Sequence, residues 1–272
     1  MTRLWVIGRP IAHSLSPIMH GAALAALGSA AQYERRDVAP DGLAAFVDEV
    51  RGDAATLGFN VTLPYKVAIA GLLDRLEPSA VQVGAVNTVV REDGALVGLN
   101  TDAEGLARSL REAGIEPRGR RALVIGAGGA ARAALVALDG AERRIAARDL
   151  EKARALVGIL GIDALVQPLD AIDPDVELLV QASSATLDPQ QGAALAARLP
   201  LARLPREAAV VDLVYRPRRT AALAAAEALG LRTVDGTGML VHQGALALER
   251  WLGVPAPVEV MRAALLAALE AG

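Results

Sequence analysis

The chain has 272 residues and a formal net charge of −3, and these values exclude several classes of protein. The length suits two α/β domains or one large domain, and a mildly acidic chain without long blocks of like charge is not typical of a nucleic-acid-binding protein. Cysteine is absent, which excludes disulfides, thiol nucleophiles and cysteine metal sites, and the three histidines lack the spacing of a zinc motif. No signal-peptide pattern or long apolar run is present, so we expect a cytoplasmic protein without a membrane partner or a metal.

Strands and helices alternate along the first half of the chain. We expect Ser16 to cap the first helix and Gly28 to end it, and we expect the turn 92–94 (Glu-Asp-Gly) to join two strands. The predicted elements are a strand at 4–8, a helix at 16–28, a strand at 31–38, a helix at 41–52, a strand at 55–61, a helix from 66 to about 76 and two strands within 84–100.

The second half continues the alternation, which predicts an α/β fold throughout. The composition of residues 187–205 favours no particular element, and the sequence does not show where the turns of this segment lie. The predicted elements are a helix at 101–114, a strand and helix at 121–140, four strand-like runs at 142–149, 163–169, 177–184 and 208–215, and two final helices at 238–253 and 258–272.

The sequence VIGAGGAAR, residues 124–132, follows a predicted strand and opens a predicted helix. Gly126, Gly128 and Ala131 fit the pattern G-x-G-x-x-A. The first glycine permits a tight turn, the second lets a pyrophosphate approach the backbone, and the small third residue lets helix and strand pack closely. The helix N-terminus offers N–H groups to phosphates. In this position the motif predicts a Rossmann-type domain that binds a dinucleotide.

The end of the next strand bears on the choice between NADP and NAD. An acidic residue there binds the ribose 2′-hydroxyl of NAD, whereas a basic residue accommodates the 2′-phosphate of NADP. This chain has Arg148 followed by Asp149, with Lys152 one turn later. Arg148 can stack on adenine and bind phosphate, while Asp149 either repels that phosphate or serves only as the N-cap of the next helix. These residues favour NADP and leave NAD possible.

Uncharged polar side chains cluster at other predicted strand ends and helix starts. Ligands of open α/β sheets bind beyond the carboxyl ends of the strands, so these groups suit a small ligand with several hydroxyls and a carboxylate. Each also has a structural alternative as a helix cap or a strand-pairing residue. The candidates are Ser14, Ser16, Asn60, Thr62, Asn87 and Thr101.

Lys66 ends the segment VTLPYK, residues 61–66, directly after a hydrophobic strand. A lysine in a first helical turn is most often a solvated residue, but its charge opposes the helix dipole there, which slightly favours a functional role. We expect Lys66 to face a cleft together with Asp102, whose alternative role is a helix N-cap. Such a pair can relay the hydroxyl proton while an alcohol is oxidised by a dinucleotide.

Six motifs occur in this chain in the order and at spacings like those of the shikimate dehydrogenase family, which the whole chain resembles. They are GRPIAHSLSP, NVTLPYK, GAVNT, NTDAEG, GAGGAAR and DGTGMLVHQGA. The resemblance implies the NADP-linked interconversion of 3-dehydroshikimate and shikimate, in the biosynthesis of chorismate and the aromatic amino acids.

The resemblance also assigns roles to residues. Lys66 and Asp102 match the catalytic pair, and Ser14 and Ser16 match the serines that bind the substrate carboxylate. The other implied substrate contacts are Thr62, Asn87, Tyr215 and Gln243. The implied cofactor contacts are Gly126, Ala127, Gly128, Gly129, Ala130, Arg148, Asp149, Lys152, Leu213, Gly236 and Met239.

The implied architecture has two domains with a cleft between them. Residues 1–102 and 238–272 would form an α/β substrate domain, and residues 103–237 a Rossmann-type NADP domain. The two domains can close over the substrate and exclude water. Monomer and homodimer both fit.

Three segments depart from the family pattern, and the third is the compositionally loose region 187–205. Ala147-Arg148-Asp149 replaces an Asn-Arg-Thr group, and residues 181–186 (QASSAT) replace Asn-x-Thr-x-x-Gly. Asp149 leaves open a relative that acts on quinate or aminoshikimate with NAD or with both cofactors. A ligand-binding protein without catalysis is a further alternative, against which Lys66 and Asp102 argue.

Overall fold

The structure, a computed structural model, describes residues 2–271, which form two compact α/β units. The strands, in chain order, are β1 (Arg3–Gly8), β2 (Gln32–Asp37), β3 (Thr56–Val61), β4 (Arg75–Leu76), β5 (Thr88–Glu92), β6 (Ala95–Leu99), β7 (Arg121–Ile125), β8 (Glu142–Ala147), β9 (Leu165–Pro168), β10 (Leu178–Gln181), β11 (Ala209–Asp212) and β12 (Arg232–Val234). The helices are α1 (Ser16–Ala26), α2 (Leu43–Gly52), α3 (Pro78–Val83), α4 (Asp102–Glu112), α5 (Gly129–Ala137), α6 (Leu150–Leu160), α7 (Pro189–Ala196), α8 (Ala221–Ala228), α9 (Thr237–Leu252) and α10 (Val258–Ala271).

The first unit ends at Thr101 and resumes at Val241. Its sheet has the order β2-β1-β3-β5-β6-β4, with β5 antiparallel to both neighbours and the other pairs parallel. The chain from Val241 onward joins this unit through Trp251, whose indole Nε1 donates to the carbonyl of Val89 at 2.9 Å. Trp251 lies directly over Gly58, where an added Cβ would be 2.4 Å from Nε1.

The second unit, Asp102–Leu240, has a fully parallel sheet in the order β12-β11-β10-β7-β8-β9. In chain order this is the 3-2-1-4-5-6 arrangement of the Rossmann fold, which reverses between β7 and β10. Alternate residues of β7 enter two separate cores: Ala122 and Val124 face one, and Leu123 and Ile125 face the other. Both faces of this sheet are therefore buried, which explains the continuous apolar strands.

Two predictions about the first unit are wrong. Ser16 is the first residue of α1 rather than its cap, and the N-cap residue Leu15 offers no side-chain bond. No α-helix runs from 66 to 76: a 3-10 helix at Ala68–Leu72 is followed by β4. Asp74 explains this break, because its backbone N–H and its carboxylate both bond to the backbone of Leu96 and draw the chain into the sheet.

The tight turn predicted at residues 92–94 is present. Asp93 and Gly94 have φ values of +50° and +86° and join β5 to β6 as a tight hairpin. In the segment 187–205, the structure places α7 between 3-10 helices at Ser184–Leu187 and Leu201–Arg203.

Candidate active site

The loop before α1 carries the two serines predicted to bind a carboxylate. Arg35 holds this loop, donating from Nε and Nη2 to the carbonyl of Ser14 at 2.9 and 2.6 Å. The Ser14 hydroxyl accepts from the backbone N–H of Ser16 at 3.4 Å. Ser14 is half-buried and Ser16 is buried. The structure thus brings the two serines together at the start of a helix, where N–H groups favour an anion.

Asn87 is the centre of a buried polar cluster in the first unit. Its Oδ1 accepts from the backbone N–H of Thr101 at 2.8 Å, and its Nδ2 donates to the hydroxyl of Thr101 at 2.9 Å. The same Nδ2 donates to Oε1 of Gln243 at 3.3 Å, although the two residues are 156 positions apart in the chain. The structure therefore brings three of the predicted substrate-binding residues into direct contact.

Asn60 was predicted as a substrate contact, but its amide is engaged inside the unit. Its Oδ1 accepts from the Tyr33 hydroxyl at 2.6 Å, and its Nδ2 donates to the Asn87 carbonyl at 3.2 Å and to the Thr88 hydroxyl at 3.0 Å. Asn60 is 6% exposed. These bonds make it a residue that holds the polar cluster, and its proposed contact with substrate remains a prediction.

Tyr33 and His20 belong to the same region and were missed by the sequence reasoning. The His20 ring stacks on Tyr33 with a centroid distance of 4.2 Å and an interplanar angle of 10°. Burial raises the pKa of the Tyr33 phenol well above its usual value, and a hydrogen bond with the Ser16 side chain opposes that shift. The phenol therefore stays protonated and able to donate. Strand β2 is rich in charged residues and shows no apolar alternation, so its sequence did not indicate that the Tyr33 side chain is buried.

Lys66 is held by backbone bonds on both sides of its turn. The N–H of Thr62 donates to the Ile7 carbonyl at 2.9 Å, and the carbonyl of Lys66 accepts from the N–H of Val86 at 2.7 Å. The side chain of Lys66 is half-buried, as is that of Thr62. Val86 directly precedes Asn87, so the turn that carries the lysine is tied to the strand that carries the amide.

Asp102 opens α4, in the second unit. It is 6% exposed, and the preceding residue Thr101 is 4% exposed and bonded to Asn87 as described above. Asp102 therefore directly follows, in the sequence, a residue that is bonded to Asn87. An acidic residue in a first helical turn is stabilised by the helix dipole.

The glycine turn of the second unit has the geometry that a dinucleotide requires. Gly126 has a φ of +110°, and an added Cβ would lie 3.1 Å from Ser183. Gly128 is the N-cap residue of α5, without a side-chain cap, and the positions of Gly128 and Gly129 each have open space where a Cβ would be. The first N–H groups of α5 are thus not covered by a capping side chain, as pyrophosphate binding requires.

A cavity of about 190 Å³ lies beside this turn, at the carboxyl ends of β7, β8 and β10. Gly126, Arg148, Ser183 and Arg198 are among its lining residues. Arg148 is exposed at the end of β8. The position of the cavity, at the point where the strand order reverses, is where Rossmann domains bind nucleotides.

Asp149 serves as the N-cap of α6. Its Oδ1 accepts from the backbone N–H of Lys152 at 2.9 Å, and both side chains are exposed. Of the two roles considered for Asp149, the cap is the one the structure contains. Lys152 thus lies in the first turn of the helix that Asp149 caps.

Leu213 and Gly236, both predicted to contact the cofactor, approach each other closely. A Cβ added at Gly236 would lie 2.3 Å from the Leu213 carbonyl oxygen, so no side chain fits there. Met239 follows in the first turn of α9 and packs on the core beside Ala127 and Ala130. Tyr215 is half-buried, and burial raises the pKa of its phenol.

Two sequence models of known families match this chain. One, described as the shikimate dehydrogenase substrate binding domain, matches residues 6–89, and the other, the shikimate 5'-dehydrogenase C-terminal domain, matches residues 236–266. The NADP(+) shikimate dehydrogenase of Sphingopyxis alaskensis is 46% identical over 258 residues, which cover 93% of this chain and 91% of the relative. The chain belongs to the shikimate dehydrogenase family.

Solved structures agree with membership in the shikimate dehydrogenase family. The shikimate 5-dehydrogenase of Thermus thermophilus, in complex with NADP(H) and shikimate, has a TM-score of 0.89 and 41% identity, covering 98% of this chain and 100% of that one. A quinate dehydrogenase of Corynebacterium glutamicum, in complex with NAD, also has a TM-score of 0.89, with 31% identity and 98% and 99% coverage. The predicted family and the predicted fold, α/β with two domains of which one is Rossmann-type, are confirmed.

The segment 181–186, where this chain departs from the shikimate dehydrogenase pattern, is held by a buried network. Nε2 of Gln181 donates to the Thr186 hydroxyl at 2.7 Å and to the Asp212 carboxylate at 3.2 Å. Asp212 also accepts from the Thr220 hydroxyl at 2.7 Å. Burial raises the pKa of Asp212 against these hydrogen bonds. The substituted residues therefore fix the loop beside the glycine turn by side-chain bonds of their own.

Within residues 2–271 there is no group of three or more His, Cys, Asp or Glu side chains that could hold a metal ion. The same part of the chain contains no helix that is both long and apolar enough to span a membrane.

Proposed function

We propose that this chain catalyses the reversible NADP-linked interconversion of shikimate and 3-dehydroshikimate. The observation that carries the proposal is the 46% identity, over 93% of the chain, to a relative named as an NADP(+) shikimate dehydrogenase. The fold supports it, because a structure of the same family that is 41% identical was solved with NADP(H) and shikimate. The proposal places the enzyme in the pathway to chorismate and the aromatic amino acids.

Lys66 and Asp102 are proposed to exchange the hydroxyl proton of the substrate. Lys66 lies on a turn fixed by backbone bonds, and Asp102 at the first position of a helix, so both side chains start from rigid supports. A positively charged ammonium group close to the reacting oxygen would also stabilise the negative charge that develops there. In this proposal the protein holds the two reacting side chains in fixed positions and exchanges the proton with the substrate.

The substrate is proposed to bind through its carboxylate and its hydroxyls. Ser14 and Ser16, at the N-terminus of α1, would take the carboxylate, because hydroxyl donors and helix N–H groups both favour an anion. Side-chain amide and hydroxyl groups of the protein would bind the hydroxyl groups of the substrate. The residues proposed for that role are Thr62, Asn87, Thr101, Tyr215 and Gln243. Asn60 would help to hold Asn87 in place, because its side-chain amide donates to the Asn87 carbonyl.

NADP is proposed to bind the second unit, and it would accept the hydride when bound. Gly126 to Ala130 would receive the pyrophosphate at the N-terminus of α5, and Arg148 and Lys152 would receive the 2′-phosphate. Gly236 would allow the backbone of Leu213, the other proposed cofactor contact, to approach closely, since an added Cβ would lie 2.3 Å from the Leu213 carbonyl oxygen. Asp149 would contribute mainly as a cap, and Met239 as packing.

The proposed domains are residues 1–102 with 238–272 for the substrate and residues 103–237 for NADP. A cytoplasmic location belongs to the same proposal, and fractionation of the source cells would test it. Monomer and homodimer are both retained, to be separated by light scattering on the purified protein.

Initial rates test the proposal directly. Shikimate and quinate are each offered with NADP⁺ and with NAD⁺ to the purified chain, and reduced cofactor is followed by absorbance. Activity with shikimate and NADP⁺ that exceeds the other three combinations supports the proposal. Comparable rates with quinate or NAD⁺ would assign the chain to a catabolic or dual-specificity branch, and no turnover of any pair would indicate a ligand-binding protein without catalysis.

A further inference from the structure

The cavity beside the glycine turn has two arginines on its wall. Arg148 extends from the end of β8, and Arg198 lies just beyond the end of α7. Most of the other lining residues are apolar or small, among them Ile125, Ala146 and Leu195. Two guanidinium groups that face one cavity of about 190 Å³ repel each other, and an anion between them would relieve that repulsion. The wall therefore has the charge of an anion-binding site.

Backbone bonds bring the two arginines to the same part of the cavity. The N–H of Leu169 donates to the carbonyl of Ala147 at 3.3 Å, so the loop after β9 is tied to the end of β8. Asp170 follows Leu169, and its carboxylate forms an ion pair with Nη2 of Arg198. Arg148 directly follows Ala147. The guanidinium of Arg198 is thus held close to the backbone segment that carries Arg148.

The ion pair with Asp170 occupies only part of the Arg198 side chain. A guanidinium carries several N–H donors in one plane. Among residues 2–271, the bond from Nη2 to Asp170 is the only hydrogen bond of this side chain, so Nε and Nη1 have no partner there. The side chain is 42% exposed. Leu195, one turn earlier, is buried in the core beneath α7, so Arg198 offers its donors from a fixed support.

The other side chains at the end of β8 offer a phosphate few donors. Ala147 is apolar, and the carboxylate of Asp149 can only accept and is used as the cap of α6. Arg148 is exposed, and its side chain makes no hydrogen bond or ion pair with the described residues. Lys152 lies in the first turn of α6. Arg198 therefore adds a second guanidinium, on the cavity itself, to these two cations.

We propose that Arg198 is a further residue that determines the preference for NADP: it binds the 2′-phosphate from the end of α7, while Arg148 binds it from the end of β8. This inference rests on the proposed function, since it adds a residue to the proposed cofactor site. Charge-assisted hydrogen bonds from guanidinium to phosphate are stronger than neutral ones. The N–H groups that have no partner can make these bonds while Nη2 stays with Asp170, which keeps the side chain at the cavity.

Titration of two adenosine ligands isolates the 2′-phosphate. Adenosine 2′,5′-bisphosphate and adenosine 5′-monophosphate differ only in that group, and isothermal titration calorimetry measures the Kd of each for the purified chain. Arg198→Met keeps an aliphatic stem and removes the guanidinium. We expect this variant to bind the bisphosphate about tenfold more weakly, as for loss of one charged hydrogen bond, and the monophosphate with less than about twofold change. Arg198→Lys, which keeps the charge but not the planar group, should lie between the variant and the wild type.

Arg203→Met is the matched control. Arg203 is also exposed and also follows α7, but it does not line the cavity, and its side chain makes no bond with the described residues. The control removes the same charge from the same part of the chain, so it reports long-range attraction alone, and both Kd values should stay within about twofold of the wild type. Unchanged bisphosphate binding in Arg198→Met, an equal loss for both ligands, or an equal loss in Arg203→Met would overturn the inference.

Neither titration involves shikimate or turnover, which separates this inference from the proposed function. A selective loss of bisphosphate binding in Arg198→Met, in a chain that does not oxidise shikimate, would support the inference and refute the proposed reaction. Unchanged bisphosphate binding in that variant, in a chain that oxidises shikimate with NADP⁺, would refute the inference alone. Equal affinity of the wild-type chain for both ligands would refute the inference and the NADP preference together. In the active enzyme, Arg198→Met should raise KM for NADP⁺ more than KM for NAD⁺.

Discussion

His20 should make the first unit less stable as the pH falls. The ring is fully buried, and neither ring nitrogen has a hydrogen-bond partner among the described residues. Burial lowers the pKa of His20 from 6.5 to about 3. Between these values the unfolded chain binds a proton that the folded chain does not, so the free energy of unfolding decreases as the pH falls through this window. Each pH unit is worth about 1.4 kcal/mol, which gives a loss of about 2 kcal/mol at pH 5.

Urea unfolding at pH 7.5, 6 and 5 measures this loss. The chain has two tryptophans, Trp5 and Trp251, and both belong to the first unit, so fluorescence reports the unit that contains His20. Carboxylates whose pKa is lowered, such as Asp53 and Asp74, lose their contribution only below about pH 4, outside the range used. Asp212, whose pKa is raised, acts in the opposite sense but lies in the second unit.

Two variants separate His20 from other groups. His20→Phe keeps the ring stack on Tyr33 and removes the titrating nitrogens, so its free energy of unfolding should lose most of the dependence on pH between 7.5 and 5. His20→Leu provides the same comparison if the larger ring does not fit beside Gly244, where the space is narrow. His13→Gln, at an exposed position, should behave like the wild-type chain. Equal stability of the wild-type chain at pH 7.5 and 5, or a pH dependence that persists in both His20 variants, would refute the reasoning.

Three further predictions concern catalysis and the cofactor. Lys66→Ala should lower kcat by about 100-fold or more with a modest change in KM, as for loss of a general acid–base, and near-normal kcat would contradict that role. Asp149→Thr keeps a hydroxyl that can cap α6 and removes a negative charge, so stability should not change. The ratio of NADP⁺ to NAD⁺ activity should rise about fivefold, because ~1 kcal/mol of repulsion between the carboxylate and the 2′-phosphate is removed. An unchanged ratio would mean that the carboxylate only caps α6. Gly236→Ala places a methyl group against the Leu213 carbonyl and should cost about 1–3 kcal/mol of stability and weaken NADP⁺ binding, whereas Gly158→Ala, in open space, should not destabilise the fold. Denaturation and cofactor titration of the two alanine variants decide this last point.

Features that depend on neighbours in the chain were predictable from the sequence. The turn at Asp93 and Gly94 and the cap at Asp149 each rest on contacts within a few residues, and the positive φ of Gly126 is a backbone preference of glycine itself. Backbone φ preferences and short side-chain bonds to nearby N–H groups act in any context, so the residue types alone indicate them. The alternation of strands and helices was visible for the same reason, since apolar periodicity is local.

Features that depend on distant partners were not predictable. The helix expected from residue 66 to 76 gave way to a strand because Asp74 pairs with Leu96, which lies 22 residues further along the chain. Propensity could not show this, since a tertiary hydrogen bond in the sheet outweighs a weak local preference. The predicted Ser16 cap was also wrong: the serine is the first residue of α1, and the N-cap residue Leu15 makes no side-chain bond.

For this protein the sequence alone indicated the family, an α/β fold with two domains and the glycine turn, and it supplied most of the site residues that are proposed here. The tertiary structure decided which of those residues meet. Asn87 contacts Gln243 across 156 residues, Asn60 accepts a hydrogen bond from Tyr33, and Thr88, adjacent to Asn87, bonds to the amides of both Asn60 and Asn87. Hydrogen-bond partners of this kind are chosen by the pairing of strands and the packing of helices, because a buried amide must bond to whatever the fold brings within about 3 Å of it.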